Sequence, residues 1–129
     1  QKIPYCVYMI NNNIPMSELL NFNDLDFKPH SNADGVHARL ELGNGLEISV
    51  VANNDGGDGL YGNVSDDLYE VAIFDDDGMV PLSVGDDVLA WQSPAQVSKH
   101  MRDAQLNGDA WVDLLKKLRK DFRDDLDLD

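Results

Sequence analysis

Apolar and polar residues alternate along two adjacent stretches near the middle of the chain. Every second position of residues 36–42 is apolar, and the alternation returns in residues 46–52. A period of two residues is typical of strands with one buried face. The Asn44-Gly45 dipeptide between them is a strong hairpin signal, because both turn positions favour positive φ. The pattern therefore predicts a β-hairpin.

Two further strands are predicted after a long polar loop. Residues 53–67 are rich in Gly, Asn and Asp, and residues 68–74 then form a run with a continuous apolar centre. Residues 75–78 read Asp-Asp-Asp-Gly, which is typical of a tight turn. Residues 79–84 predict a short fourth strand, and Pro81 within it favours an edge position in the sheet.

The C-terminal third has helical signals. Ser93 followed by Pro94 and, three positions after the serine, Gln96 is typical of a helix start. Asn107-Gly108 is typical of a helix end, and Asp109 can cap a second helix. That second helix carries an apolar stripe formed by Trp111, Leu114, Leu115, Leu118 and Phe122. The interpretations of this stripe are core packing on the sheet or docking of a partner or second copy.

Together these elements predict the α+β class: an antiparallel β-meander of about four strands followed by two C-terminal helices packed on the sheet. Residues 16–129 are expected to form this single domain, with an acidic C-terminal tail. Met16-Ser17 resembles a natural start after a polar run at residues 11–13, so residues 1–15 are interpreted as an N-terminal extension or linker.

Charge is distributed unevenly along the 129 residues. The net charge is −14, from 24 acidic and 10 basic residues. Residues 40–98 contain twelve acidic residues and no Lys or Arg, and residues 121–129 add five aspartates against Arg123. Such a field disfavours direct binding to nucleic acid or an anionic membrane and favours a partner with a basic surface. The candidate partner-binding residues are Asp55, Asp58, Asp66, Asp67, Asp75, Asp76, Asp77, Asp86, Asp87, Asp124 and Asp125.

Catalytic patterns are not found in the sequence. The three histidines, His30, His37 and His100, are scattered, and no serine lies in a G-x-S-x-G elbow. No glycine pattern matches a phosphate-binding loop. We therefore expect a non-enzyme without cofactor or metal. The single cysteine, Cys6, permits no disulfide within the chain, and no stretch is apolar enough to span a membrane, which together favour the cytoplasm.

Calcium is the alternative ligand that the loops permit. Asn53, Asp55 and Asp58 in one loop, or Asp75 and Asp77 in the other, offer the hard oxygen ligands that calcium prefers. Neither loop fits the EF-hand template, and an Asp-Gly turn explains the second loop equally well.

Three segments resemble a group of small, mostly uncharacterised bacteriophage proteins. Residues 44–51 read NGLEISVV, residues 68–74 read LYEVAIF, and residues 86–91 read DDVLAW. The group shares an NGYG-SVV strand, an LYELAV strand and a DDV-GW/Y segment in this order. The chain departs from the group at Leu46 and Glu47, where Tyr and Gly are common. The resemblance implies a phage protein that acts in the cytoplasm of a bacterial host.

Acidic phage proteins of this size often act by occupying host proteins, and some imitate DNA. Carboxylates on one face of a strand repeat at roughly 6–7 Å, close to the phosphate spacing of one DNA strand. The leading hypothesis is therefore an inhibitor with a rigid acidic face, which binds a host defence factor or DNA-binding protein. The alternatives are an oligomeric assembly module that uses Trp111, Leu114, Leu118 and Phe122, and a small calcium-binding domain.

Overall fold

A six-stranded antiparallel sheet and a long C-terminal helix make up the described part of the chain. The computed structural model of the protein describes residues 18–83 and 87–127, with side chains up to residue 122. The strands and the α-helix are β1 (Lys28–Pro29), β2 (Gly35–Gly43), β3 (Leu46–Asn53), β4 (Tyr69–Asp75), β5 (Gly78–Met79), β6 (Val88–Gln92) and α1 (Pro94–Asp127), and short 3-10 helices lie at Phe22–Asp24 and Val64–Asp66. The strand order is β1-β2-β3-β4-β5, and β6 also pairs with β4.

The β2–β3 hairpin places its alternating apolar residues on one buried face. Ala38 pairs with Val50, and Leu40 pairs with Ile48. Ile48 also pairs with residue 73 of β4, so the buried face continues across the sheet. Ile48, Val50 and Ile73 are fully buried. The period-2 pattern therefore correctly predicted both the strands and the face that forms the core.

Strand β4 lies at the centre of the structure. It pairs with β3 on one side, and on the other side it pairs first with β6 and then, near its C-terminal end, with β5. Among the described residues, no strand pairs with the outer side of β6. Strand β6 is therefore an edge of the sheet.

Helix α1 covers the buried face of the sheet with its first half. The Ser93 hydroxyl accepts from Gln96 N–H at 3.2 Å and the Gln96 carboxamide accepts from Ser93 N–H at 2.8 Å, which is the predicted capping box. Val97 and Met101 are fully buried in the core. The helix is interrupted at Gly108, whose φ of 48° and ψ of −125° are not helical.

The α+β class is confirmed, but the strand and helix counts differ from the prediction. The predicted fourth strand at residues 79–84 is only Gly78–Met79, because Pro81 cannot donate to a ladder. Residues 88–92, for which no element was predicted, form β6 just before α1. The two predicted helices form one helix with a break at Gly108, where the sequence predicted a helix end. The predicted extension at residues 1–15 lies outside the described residues.

None of the described helices combines the length and apolar character that a membrane crossing requires.

The pH dependence of stability is expected to follow the histidines. Burial, followed by the charge of Lys99, lowers the pKa of His100 below its usual 6.5, while its Nε2 lies 2.8 Å from Gln92 Oε1. Burial, followed by His30, likewise lowers the pKa of His37. As the pH falls through 6.5, the unfolded chain binds protons that the folded chain resists. The free energy of unfolding should therefore fall.

Urea unfolding between about pH 8 and pH 5 measures this slope. Replacing His100 by Gln or His37 by Gln should each make the slope shallower, whatever the variant's absolute stability. An unchanged slope in both variants would contradict the assignment.

Candidate functional site

The predicted acidic residues do not form one face, because they lie at opposite ends of β4. We call residues 54–68, which precede β4, the loop end of the sheet, and the β4–β5 turn together with Asp87 the turn end. Asp67 lies just before β4 and Asp75 is its last residue. At about 3.3 Å per residue, these two positions are roughly 25 Å apart along the strand. The structure therefore divides the predicted site into two acidic groups.

At the turn end, the acidic groups bind basic residues of α1. Lys116 Nζ lies 2.8 Å from Asp75 Oδ2 and 3.7 Å from Asp77 Oδ2. The Lys116 ammonium beside Asp75 lowers the pKa of that carboxyl. Arg119 pairs with Asp87 and also donates to the Ser83 carbonyl oxygen at 2.5 Å. These carboxylates hold the second half of α1 against the sheet.

Of the remaining predicted residues, Asp76 is exposed at the turn end. Asp86 lies outside the described residues, as do the side chains of Asp124 and Asp125.

At the loop end, the acidic groups contact neutral partners. Asp67 Oδ1 accepts from the Tyr69 hydroxyl at 2.9 Å, and Asp66 Oδ2 accepts from Asn63 Nδ2 at 3.2 Å. Burial, followed by the Asp67 hydrogen bond, raises the pKa of Tyr69 to about 12. Asp55 and Asp58 are exposed.

No basic side chain in the described ranges forms an ion pair with these four aspartates. The loop end therefore keeps its negative charge, whereas much of the turn end is neutralised within the molecule.

Asn53 fixes the loop end from inside the protein. Its side chain is buried, and its amide nitrogen donates to the carbonyl oxygens of Leu60 at 2.8 Å and Gly62 at 2.9 Å. Its amide oxygen accepts from Leu60 N–H at 3.1 Å. The side-chain amide nitrogen of Asn53 also lies 3.2 Å from Asn63 Oδ1. One side chain thus satisfies several backbone groups of a loop whose regular structure is limited to one 3-10 turn at Val64–Asp66.

These contacts change the interpretation of the calcium hypothesis. The Asn53 oxygen already accepts from the protein backbone, and in the second loop Asp75 and Asp77 lie beside a lysine. Within residues 18–83 and 87–127, no three His, Cys, Asp or Glu side chains form a group that could hold a metal ion. The geometry therefore gives the calcium hypothesis no support.

A β-bulge between β4 and β6 holds an exposed tryptophan in a strained conformation. Tyr69 pairs with Gln92 and Val71 with Leu89, so two residues of β6 lie opposite one residue of β4. One of the two is Trp91, whose φ is 56°. A left-handed backbone costs a non-glycine residue about 1–2 kcal/mol. The Trp91 side chain nevertheless remains 46% exposed.

The bulge is linked to the loop end by two hydrogen bonds. Trp91 N–H donates to the Tyr61 carbonyl oxygen at 2.9 Å, and Tyr61 N–H donates to Glu70 Oε1 at 2.9 Å. Glu70 is the β4 residue opposite the bulge. Tyr61 is 56% exposed. We call Tyr61, Glu70 and Trp91 the bulge site. The sequence did not predict this site, because neither the left-handed conformation of a tryptophan nor its exposure produces a recognisable pattern along the chain.

The predicted interaction helix exposes most of its apolar stripe. Leu114, Leu118 and Phe122 are 54%, 49% and 44% exposed. Trp111 packs partly against the core. Core packing, the first interpretation of the stripe, therefore holds only for part of it.

No protein-family model, curated protein or solved structure matches this chain.

Asn53 should be far more important for stability than its neighbour Asn54. Replacing Asn53 by Ala should lower the free energy of unfolding by about 3 kcal/mol, because several buried backbone groups lose their partner. Asn54 is exposed, and among the described residues its side-chain amide hydrogen-bonds only to Asp34, at 2.8 Å, so Asn54→Ala should cost under about 1 kcal/mol. Urea denaturation measures both, and equal losses would contradict the role given to Asn53.

Proposed function

We propose that this protein acts by binding a basic surface of another protein. The supporting observation is the loop end, where Asp55, Asp58, Asp66 and Asp67 keep their charge on a loop that Asn53 holds in place. The net charge of −14 adds long-range attraction toward a cationic partner. Attraction of this kind raises the association rate and disfavours acidic partners.

The division of the acidic groups favours a compact binding site over a long one. An imitation of DNA along a whole channel would need carboxylates distributed continuously, whereas the turn end uses Asp75 and Asp87 to bind α1. The DNA-mimic form of the proposal is therefore narrowed to the loop end, which would occupy a basic pocket or the mouth of a groove. Displacement of counterions would make such binding steeply dependent on salt.

The resemblance to small bacteriophage proteins supplies the proposed setting. In that setting the partner is a bacterial host protein, such as a defence factor or DNA-binding protein, and occupation of its basic surface inhibits it. The proposal needs no catalytic chemistry and no cofactor in this chain.

A retention experiment with matched charge variants tests the proposal. The immobilised protein should retain a basic protein from a bacterial lysate at low salt and release it at about 1 M salt, where the Debye length is about 3 Å. Neutralising the loop end with Asp55→Asn and Asp58→Asn should then slow association of the identified partner by roughly threefold to tenfold. The control removes two exposed charges elsewhere, with Asp76→Asn and Asp113→Asn, and should have a smaller effect.

Equal effects of the two double variants would contradict a loop-end site. A partner that stays bound in strong salt would contradict the charge-led mechanism altogether. Duplex DNA should compete for the partner if its basic surface is a DNA site, and failure to compete would remove the DNA-mimic form.

The second candidate function is assembly through the exposed stripe of α1. Leu114, Leu118 and Phe122 follow one another at intervals of four residues, which places them along one side of the helix. A second copy could cover them. The net charge opposes this association, since two copies repel each other.

Sedimentation over a range of concentrations decides the second candidate. Self-association should appear as a mean mass that rises with concentration, and Leu118→Ser should reduce this rise. The control variant Met79→Ser, which replaces an exposed residue of β5, should leave the rise unchanged. A monomer at all concentrations would exclude assembly through the stripe.

A further inference from the structure

We propose that the bulge site binds an arginine side chain of a basic partner, with the guanidinium lying on the Trp91 ring and hydrogen-bonded to Glu70. This inference rests on the proposed function and names the chemistry by which the partner is recognised. Neither residue was among those selected from the sequence.

Trp91 is exposed at a backbone position that glycine would occupy with less strain. Trp91 has a left-handed backbone, a conformation in which glycine is free of strain. About half of the residue, 46%, remains exposed. Backbone geometry therefore does not account for the indole, and outliers of this kind cluster at functional sites.

The bulge site combines aromatic rings with a carboxylate. Tyr61 is 56% exposed, and its backbone is hydrogen-bonded to both Trp91 and Glu70. Glu70 Oε1 accepts from Tyr61 N–H, while its second carboxylate oxygen accepts no hydrogen bond from the described residues. That oxygen remains available to a ligand donor.

The negative charge of the loop end also favours a cationic ligand. Asp58 lies three residues before Tyr61, and Asp66 and Asp67 lie in the loop that leads into β4. Lys99 on α1 is paired with Asp103, at 2.8 Å between Nζ and Oδ2. The bulge site therefore adjoins, along the chain, carboxylates that form no ion pair with a basic side chain of the described residues.

Stacking on the indole distinguishes arginine from lysine. A guanidinium is planar and weakly hydrated, so it can stack on an indole and still donate in its plane to a carboxylate. The lysine ammonium is a compact, strongly hydrated charge that cannot stack in this way. The site should therefore prefer arginine at equal charge.

The experiment compares two blocked hexapeptides, hexa-arginine and hexalysine, by isothermal titration calorimetry at low ionic strength. The full chain should bind hexa-arginine more tightly than hexalysine. Trp91→Gly should weaken hexa-arginine binding by roughly threefold to thirtyfold and abolish the preference over hexalysine. Its urea midpoint, measured beside that of the parent protein, shows whether relief of the left-handed strain offsets the loss of the partly buried indole.

Two further variants keep the test decisive. Trp91→Asn also tolerates a left-handed backbone and should show the same loss of preference, which guards against a folding defect in the glycine variant. Met79→Gly removes another exposed apolar side chain from the same side of β4 and should leave the preference unchanged.

The outcomes separate this inference from the proposed function. Binding of both peptides with equal affinity, unaffected by Trp91→Gly, would overturn the arginine site while leaving a charge-led binding protein in place. Failure of the parent protein to bind either peptide would count against both.

Discussion

The loop end of this protein depends on one buried amide. A long segment of Gly, Asn and Asp separates β3 from β4, and without fixed contacts it would keep the conformational freedom that such composition provides. Asn53 ends β3, and its side chain both donates to and accepts from the backbone of that segment. A buried amide can do this because it carries a donor and an acceptor on one short side chain. An aspartate of the same shape would place an oxygen against two carbonyl oxygens, and this explains why the loop needs the uncharged residue.

The fixed loop in turn determines what the edge of the sheet can present. Tyr61 is held at the point where its carbonyl oxygen meets Trp91 and its N–H meets Glu70. The β6 strand enters the sheet only where β4 is not already paired, and the extra residue at the bulge absorbs the mismatch. The exposed aromatics therefore follow from the loop, the bulge and the central position of β4 together.

Local pattern predicted the parts of the fold that local pattern determines. The alternation at residues 36–42 and 46–52, the Asn44-Gly45 turn and the Ser93 cap all describe neighbouring residues, and the structure has them. The pairing of Lys116 with Asp75 and of Arg119 with Asp87 could not be read in the same way, since each pair joins residues more than thirty positions apart. Charge counted along the chain made the acidic middle look uniform, whereas the fold brings bases to only one of its ends. Strand β6 was missed because a five-residue strand beside a bulge has no regular alternation.

The helix after Gly108 shows which forces set its orientation. The Lys116–Asp75 and Arg119–Asp87 pairs on this part of the helix are partly buried, with the Asp75 and Arg119 side chains only 16% and 12% exposed. They act against the cost of exposing Leu114, Leu118 and Phe122, each of which would contribute about 1.5–3 kcal/mol if it were fully buried. Val112, which is buried, and Leu115, which packs on the core, show that the helix has already used its best apolar contacts on the side that faces the sheet. The exposed side is thus the one that the helix turns away from its core contacts, and its exposure is weaker support for a partner than that of Trp91. The indole is partly exposed at a backbone position that disfavours it, and the adjoining loop carries carboxylates without a basic partner among the described residues, so a cationic side chain is the ligand that would offset this cost.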